Sequence, residues 1–318
     1  MERKRLAIII LVVLVVSVSV IAIYKFRTNE TGIQGSIEVD GLNRTFMLYI
    51  PSSHDSNKQV PLLIALHGGG GSGLNMEKLT KYGFNKLAEE YDFLVVYPDG
   101  IQKHWNDGRG LEAYYTQREN IDDVKFISNL IDYIADNYNI DTKRVYVTGM
   151  SNGAFMSYRL ACELTNKIAA IAPVDAPLTV NLSSSCNPSG PMPILYIQGT
   201  ADPIVPWNGG LLKFNDQILG EVISVNETVE FWRTHNNCSV MYNKTVLPDK
   251  DPNDGTRVWT VQYMNPTTGV KVVFYGVLHG GHTWPNGYQY LPEDTIGKMT
   301  HDIDANTIIW NFLSQYSR

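Results

Sequence analysis

Hydrophobic and polar positions divide the chain into distinct kinds of stretch. From Leu6 to Ile23 the residues are apolar, interrupted only by Ser17 and Ser19. Farther on, short apolar runs recur at Leu62–Leu66, Phe93–Tyr97, Val145–Thr148, Ile168–Val174 and Pro193–Ile197. Unbroken runs of this length fit strands covered on both faces, as in a parallel sheet. Between and after them, apolar residues fall at helical spacing. The pattern predicts helices over 76–91, 121–137, 154–164, 227–235 and 302–316. In the second of these, Val124, Ile127, Leu130, Ile131 and Ile134 share one face. Asp122 and Asp123 occupy its first turn, where the helix dipole favours negative charge. Ser36–Ile50 alternates instead and turns at Asp40-Gly41, which predicts an antiparallel hairpin. Two later runs, 258–264 and 270–275, read as strands, and 175–191 reads as irregular.

This alternation predicts an α/β protein with a mostly parallel central sheet and helices on both faces. The chain has 318 residues. Setting aside an N-terminal segment leaves a length that suits one large domain better than two small ones. Residues 1–5 are a basic start, and the apolar run 6–23 is about long enough to span a bilayer. With positive charge before it, the start stays cytoplasmic and the rest is exported. The run exceeds an ordinary signal-peptide core and lacks an Ala-x-Ala site, which favours a signal anchor over a peptide cleaved after Ser19. Residues 24–34 read as a linker, and 35–318 as the domain.

Charge and cysteines narrow the partners. The formal net charge is -6, with no basic patch, so nucleic acid is excluded as a partner. The three cysteines are too few for a disulfide scaffold and too scattered for a zinc site. Cys162 falls on a helix and reads as a small buried hydrophobe. Cys186 and Cys238, in loop-like stretches, are the two placed to pair in an exported protein. Six Asn-x-Ser/Thr triplets, at Asn29, Asn43, Asn181, Asn226, Asn237 and Asn243, are compatible with export.

The chemistry centres on Val145–Gly153, a strand former run entering Gly149-Met-Ser-Asn-Gly153 and then a helix. Strand, G-x-S-x-G and helix in that order describe a nucleophile elbow. The turn lifts the Ser151 hydroxyl clear of the sheet and places the Asn152 N–H at a helix N-terminus, facing a developing oxyanion. His67-Gly-Gly-Gly-Gly-Ser-Gly73 follows an early strand. A phosphate loop needs a Lys-Ser/Thr that is absent here. The pattern suits the other half of an oxyanion hole, with the Gly69 N–H as donor, and His67 in a structural role.

A serine hydroxyl needs a base, and the base needs an orienting acid. The α/β-hydrolase fold supplies them in the order Ser, Asp, His from loops after later strands. Asp202 follows a strand in a turn set by Gly199 and Pro203, and His282 lies in a Gly-rich turn after the final strand. Asp175 and His279 are the competitors, each less well placed. His54, His104, His235 and His301 read as solvated or structural. Trp105, Trp207 and Trp284 are candidates for an aromatic substrate wall. Nothing in the pattern calls for a metal or a cofactor.

Five segments together resemble one family. Tyr97-Pro-Asp-Gly100, Asp122-Asp-Val-Lys-Phe-Ile127, Gly149-Met-Ser-Asn-Gly153, Gly199-Thr-Ala-Asp-Pro203 and Gly280-Gly-His-Thr-Trp-Pro285 are similar to the polyhydroxybutyrate depolymerase-like esterases. That group includes feruloyl and acetylxylan esterases of carbohydrate esterase family 1. The resemblance runs from about Gly35 to the C-terminus. It implies a serine ester hydrolase with Ser151 as nucleophile, Asp202 as acid, His282 as base and His67-Gly-Gly69 as oxyanion segment. Ala154 stands where members commonly carry another Gly, and Gln198 where they carry His. Hydroxyalkanoate oligomers, feruloyl or acetyl groups on polysaccharide, and small esters are the substrates the resemblance implies. A serine peptidase on the same fold and a binding protein that has kept the fold are the other classes.

Overall fold

The apolar runs of the sequence become the centre of one sheet. The computed structural model describes residues 32–318. In chain order the elements are β1 (Ile33–Val39), β2 (Leu42–Tyr49), β3 (Val60–Leu66), α1 (Gly73–Leu79), α2 (Gly83–Tyr91), β4 (Leu94–Pro98), α3 (Tyr115–Arg118), α4 (Asp123–Asn137), β5 (Ile140–Met150) and α5 (Asn152–Glu163). They continue with β6 (Ala170–Val174), α6 (Val180–Ser185), β7 (Ile194–Gly199), β8 (Gly210–Phe214), β9 (Gln217–Val222), α7 (Val225–His235), β10 (Val240–Val246), β11 (Arg257–Met264), β12 (Lys271–Leu278), α8 (Glu293–Ile296) and α9 (Ala305–Leu313).

Ten strands form the main sheet in the order β1-β2-β4-β3-β5-β6-β7-β12-β11-β10. The middle, from β4 to β12, is parallel, and antiparallel strands close both edges. This is the α/β-hydrolase architecture. Every residue of β3 is buried. Leu62, Ile64 and Leu66 join one core cluster and Leu63 and Ala65 the other, because successive side chains leave opposite faces of a strand. Each face is covered by helices. Burial of one such side chain is worth about 1.5–3 kcal/mol, which makes β3 and β5 the fixed frame from which the functional loops hang.

Several expectations are corrected. The helix expected over 76–91 is two helices, broken where Lys81 and Tyr82 take positive φ (53° and 56°). The irregular stretch 175–191 contains α6. The hairpin β8–β9 and the edge strand β10 had no periodic signal. β1 begins at Ile33, inside the stretch assigned to the linker. The basic start and the anchor at 6–23 lie outside the described residues. Among the described residues no helix is long and apolar enough to cross a membrane.

The cysteine pairing is also corrected: Cys162 is bonded to Cys186. Cys162 ends α5 only partly buried, and Cys186 caps α6, with Cα atoms 5.1 Å apart. Cys238 is free and fully buried. Its thiol faces the Val270 carbonyl at 3.4 Å.

Candidate active site

The elbow forms for steric reasons that can be read atom by atom. A Cβ on Gly153 would sit 2.3 Å from the Leu66 carbonyl oxygen. Only glycine lets α5 start this close to β3. Between β5 and α5, Ser151 is held at φ 56°, ψ -119°, a region that a residue with a side chain rarely visits. Its N–H donates to the Val174 carbonyl at 3.0 Å, which fixes the turn against the end of β6.

The acid and base loops meet by a second close approach. A Cβ on Gly199 would lie 2.4 Å from the Gly280 carbonyl oxygen. The N–H groups of Thr200 and Ala201 donate to the carbonyls of Val277 and Gly280, both at 2.9 Å. The loop after β7 is thus stitched to the loop after β12. On them, His282 Nδ1 lies 2.7 Å from Asp202 Oδ2. Asp202 Oδ1 accepts from the N–H groups of Ile204 and Val205, both at 2.8 Å, and Gln198 Nε2 donates to Oδ2 at 3.1 Å. His282 is held from behind as well: its N–H donates to Ile296 O, and Tyr290 OH donates to its carbonyl at 3.2 Å.

Burial opposes a charge on the His282 ring. The Asp202 carboxylate outweighs it through its field and its hydrogen bond, with Asp175 adding to the effect, and the imidazole is raised above its ordinary value. Asp175, Asp202 and His282 lie together, each with one ligand-type atom within 4.8 Å of the others'. Such a set can be weighed as a cation site. Four N–H donors already occupy the Asp202 oxygens, His282 Nδ1 among them, so those atoms are engaged.

Ser151 and His282 line one cavity of about 640 Å³. Gly69 and Asn152 line it too. Among the described residues, the N–H groups of Gly69 and Asn152 meet no protein acceptor, whereas Gly70 N–H donates to Lys103 O and Gly71 N–H to Gly68 O. Asn152 N–H is free because it opens α5, where no preceding turn exists to accept it.

The glycine loop is pinned by His67. Its Nε2 accepts from Gly100 N–H at 2.9 Å, and Nδ1 contacts Gly68 O at 2.8 Å. Those partners require the neutral ring with the proton on Nδ1. Burial lowers its pKa to about 4, so the ring stays neutral and structural at physiological pH.

The expected wall of tryptophans is corrected. Trp105 and Trp284 are fully buried, and neither they nor Trp207 line the cavity. Trp105 Nε1 donates to His67 O at 2.9 Å, and its backbone N–H donates to Asn152 Oδ1 at 2.9 Å. It braces the glycine loop against the elbow. Trp284 Nε1 donates to Asn306 Oδ1 at 3.1 Å. Trp207 packs on Trp259 and Phe274 with ring centroids 5.9 and 5.8 Å away. An indole is large enough that burial is its ordinary fate, and position in the sequence does not say which way it turns.

Besides His67 and His282, the ring-bearing residues that line the cavity are His104, Tyr114, Phe214, Tyr288 and Tyr290. His104 stacks on Tyr114 with centroids 4.0 Å apart. Phe214 comes from the β8–β9 hairpin. Arg109 ties that hairpin down: its Nη1 donates to Leu219 O at 2.8 Å, and its Nε and Nη2 pair with Asp107. Asp107 in turn accepts from Asn152 Nδ2. Neither Asp107 nor Arg109 was singled out in the sequence. The buried pair Arg44–Asp123 was missed too, and Asp123 Oδ2 accepts from Asn106 N–H at 2.6 Å. An Asp-Asp pair opening a helix was the available signal: Asp122 caps α4 by accepting from Lys125 N–H at 2.8 Å, and Asp123 turns inward.

Comparison with known proteins follows the geometry. Residues 44–202 match the family described as Esterase PHB depolymerase. NocK of Nocardia uniformis subsp. tsuyamanensis, which is named as an esterase, is 30% identical over 264 residues, covering 80% of this chain and 75% of NocK. Feruloyl esterase B of Piromyces equi is 30% identical over 251 residues, covering 77% of this chain and 43% of that protein. The solved structure of acetyl xylan esterase from Aspergillus awamori superimposes with a TM-score of 0.54 at 16% identity, covering 79% of this chain and 94% of that one. At that identity the likeness is one of fold.

Proposed function

The chain belongs to the PHB depolymerase esterase family and is a serine ester hydrolase, and from that premise we propose that Ser151, His282 and Asp202 carry its reaction. The observation behind the assignment is the 2.7 Å His282–Asp202 contact on the same cavity as the strained Ser151. His282 Nε2 takes the Ser151 proton as Oγ attacks the ester carbonyl. Asp202 fixes the Nδ1–H tautomer and stabilises the imidazolium. The N–H groups of Gly69 and Asn152 receive the oxyanion, and loss of one such donor costs on the order of 100- to 1000-fold in rate. His282 then protonates the departing alcohol, and water releases the acid by the same route reversed.

Ser151→Ala is the test. It is expected to abolish turnover of p-nitrophenyl esters and labelling by a serine-directed phosphonate, with an unchanged circular dichroism spectrum. Turnover that persists would remove Ser151 from its role.

For the substrate, we propose an ester with a flat aromatic acyl group, as in feruloyl polysaccharide. A cavity of about 640 Å³ walled by the His104–Tyr114 stack, Phe214 and Tyr288 has room and ring faces that an acetyl group does not use. The Piromyces relative is a feruloyl esterase by name. Methyl ferulate, hydroxybutyrate oligomers and acetylated xylan, compared by kcat/KM, decide among the family's substrates. A preference for either of the last two counts against the aromatic reading. A serine peptidase is not favoured, since the relatives are named as esterases. The Cys162–Cys186 bond supports an exported domain, and the apolar run 6–23 supports an anchor holding it on the outer face. Fractionation of expressing cells tests both.

A further inference from the structure

Asp175 is a buried ionisable group that the mechanism above leaves unused. It follows β6 with φ 53°, and its N–H donates to Ile197 O of β7 at 2.9 Å. The residue is 1% exposed. Its carboxyl lies within 4.8 Å of both the Asp202 carboxyl and the His282 ring. Yet it is poorly served by hydrogen bonds. Oδ1 accepts only a long one, from Gly199 N–H at 3.3 Å. Oδ2 is buried with no partner, and Thr283 N–H faces the carboxyl without reaching hydrogen-bond geometry. An unpaired carboxyl oxygen in such a place is costly, and nothing in the packing of β6 requires an acid there.

We propose that Asp175 is a positioning residue for His282, a second orienting carboxyl that supplies the negative charge beside the imidazolium when Asp202 cannot. The inference rests on the Ser151–His282–Asp202 reading above. Two carboxylates this close in a dry site do not both ionise readily. Four N–H donors face the Asp202 oxygens and only one, at 3.3 Å, an Asp175 oxygen, so Asp175 is the poorer place for a charge. Burial pushes Asp175 well above the usual carboxylate range; His282 pulls it down, and Asp202 pushes it further up. Removing the Asp202 charge removes that last push. Asp175 is then the one carboxyl left beside the imidazolium. The other titratable groups facing the cluster are Tyr196 of β7 and Tyr290 of the loop before α8. Burial raises both hydroxyls, so neither brings a charge that would compete.

The test is a double-mutant cycle in the full chain, with kcat/KM for p-nitrophenyl acetate measured against pH for wild type, Asp202→Ala, Asp175→Asn and the double variant. Asp202→Ala is expected to lose about 100-fold, short of the roughly 10⁴-fold loss known when a triad acid has no substitute. Its acidic limb is expected at higher pH than that of the double variant, in which no carboxylate is left to raise His282. Asp175→Asn is expected to cost less than tenfold by itself and about 100-fold more in the Asp202→Ala background, the coupling a shared role requires. Equal cost in both backgrounds, or the same acidic limb in Asp202→Ala and in the double variant, overturns the proposal. If the Asn variants fail to fold by thermal melt, the loss in Asp202→Ala alone decides, and a fall of about 10⁴-fold overturns the proposal. Failure of the parent reading looks different: Ser151→Ala would keep its turnover, whatever the cycle shows.

Discussion

Ser151, the proposed nucleophile, is held in place at the expense of its own backbone. A side-chain-bearing residue at φ 56°, ψ -119° stores on the order of 1–3 kcal/mol. Ser151→Gly is therefore expected to be inactive and more stable than Ser151→Ala by about 1 kcal/mol, read from urea midpoints. His282 gives the matching pH expectation. Its pKa is raised above 6.5, so the ring stays protonated to higher pH than a free histidine. In its proposed role as base, a protonated ring cannot accept from Ser151, so kcat/KM is expected to fall on the acid side with a midpoint above 6.5. A limb below that value would mean that another group governs the rate. At this scale the sequence was legible where chemistry is local. G-x-S-x-G, the turn at Asp202 and the Gly-rich turn at His282 each carry their geometry in neighbouring residues. The tryptophans failed because the direction of an indole is set by distant partners such as His67 O and Asn306. Asp175 was seen only as a rival to Asp202, because sequence order cannot show two acids meeting one ring.

The elements divide along the same line. Strands β3, β4, β5, β6 and β7 were readable as apolar runs because both their faces are covered. The β8–β9 hairpin was not, since its residues alternate weakly and only Leu212 and Val222 are buried. It nevertheless brings Phe214 to the cavity. Phe214→Ala is expected to raise KM for methyl ferulate about tenfold, the worth of a good aromatic contact, and to leave KM for p-nitrophenyl acetate within about twofold. Equal effects on both esters would place Phe214 outside the acyl site. The break between α1 and α2 was missed for a related reason. The apolar spacing continues through Lys81 and Tyr82, and only the φ values of those residues end the first helix.

At the scale of the whole molecule, the parallel centre of the sheet brings four loops to one edge, after β3, β5, β7 and β12. That much followed from the alternation of runs and helical spacing. The covalent tie did not. Cys162 and Cys186 are separated by 24 residues, and closing a loop of that size is worth about 3 kcal/mol on the chain-entropy account. The Cys162→Ala/Cys186→Ala variant is expected to have a lower urea midpoint, about 3 kcal/mol less unfolding free energy, and to keep its kcat. If the midpoint does not shift, the bond is absent from the expressed protein.

The β8–β9 hairpin has its own two-stranded sheet and is moored to the body through Arg109, a bridge between Thr179 and Val222, the Lys213 N–H on Ile204 O, and the packing of Leu212 and Val222 in one cluster with Ala154 and Phe155. Such a flap is a modular jaw. Its length and tip can be recut without disturbing a strand of the main sheet, so descendants of this chain can change diet while the machinery beneath stays as it is.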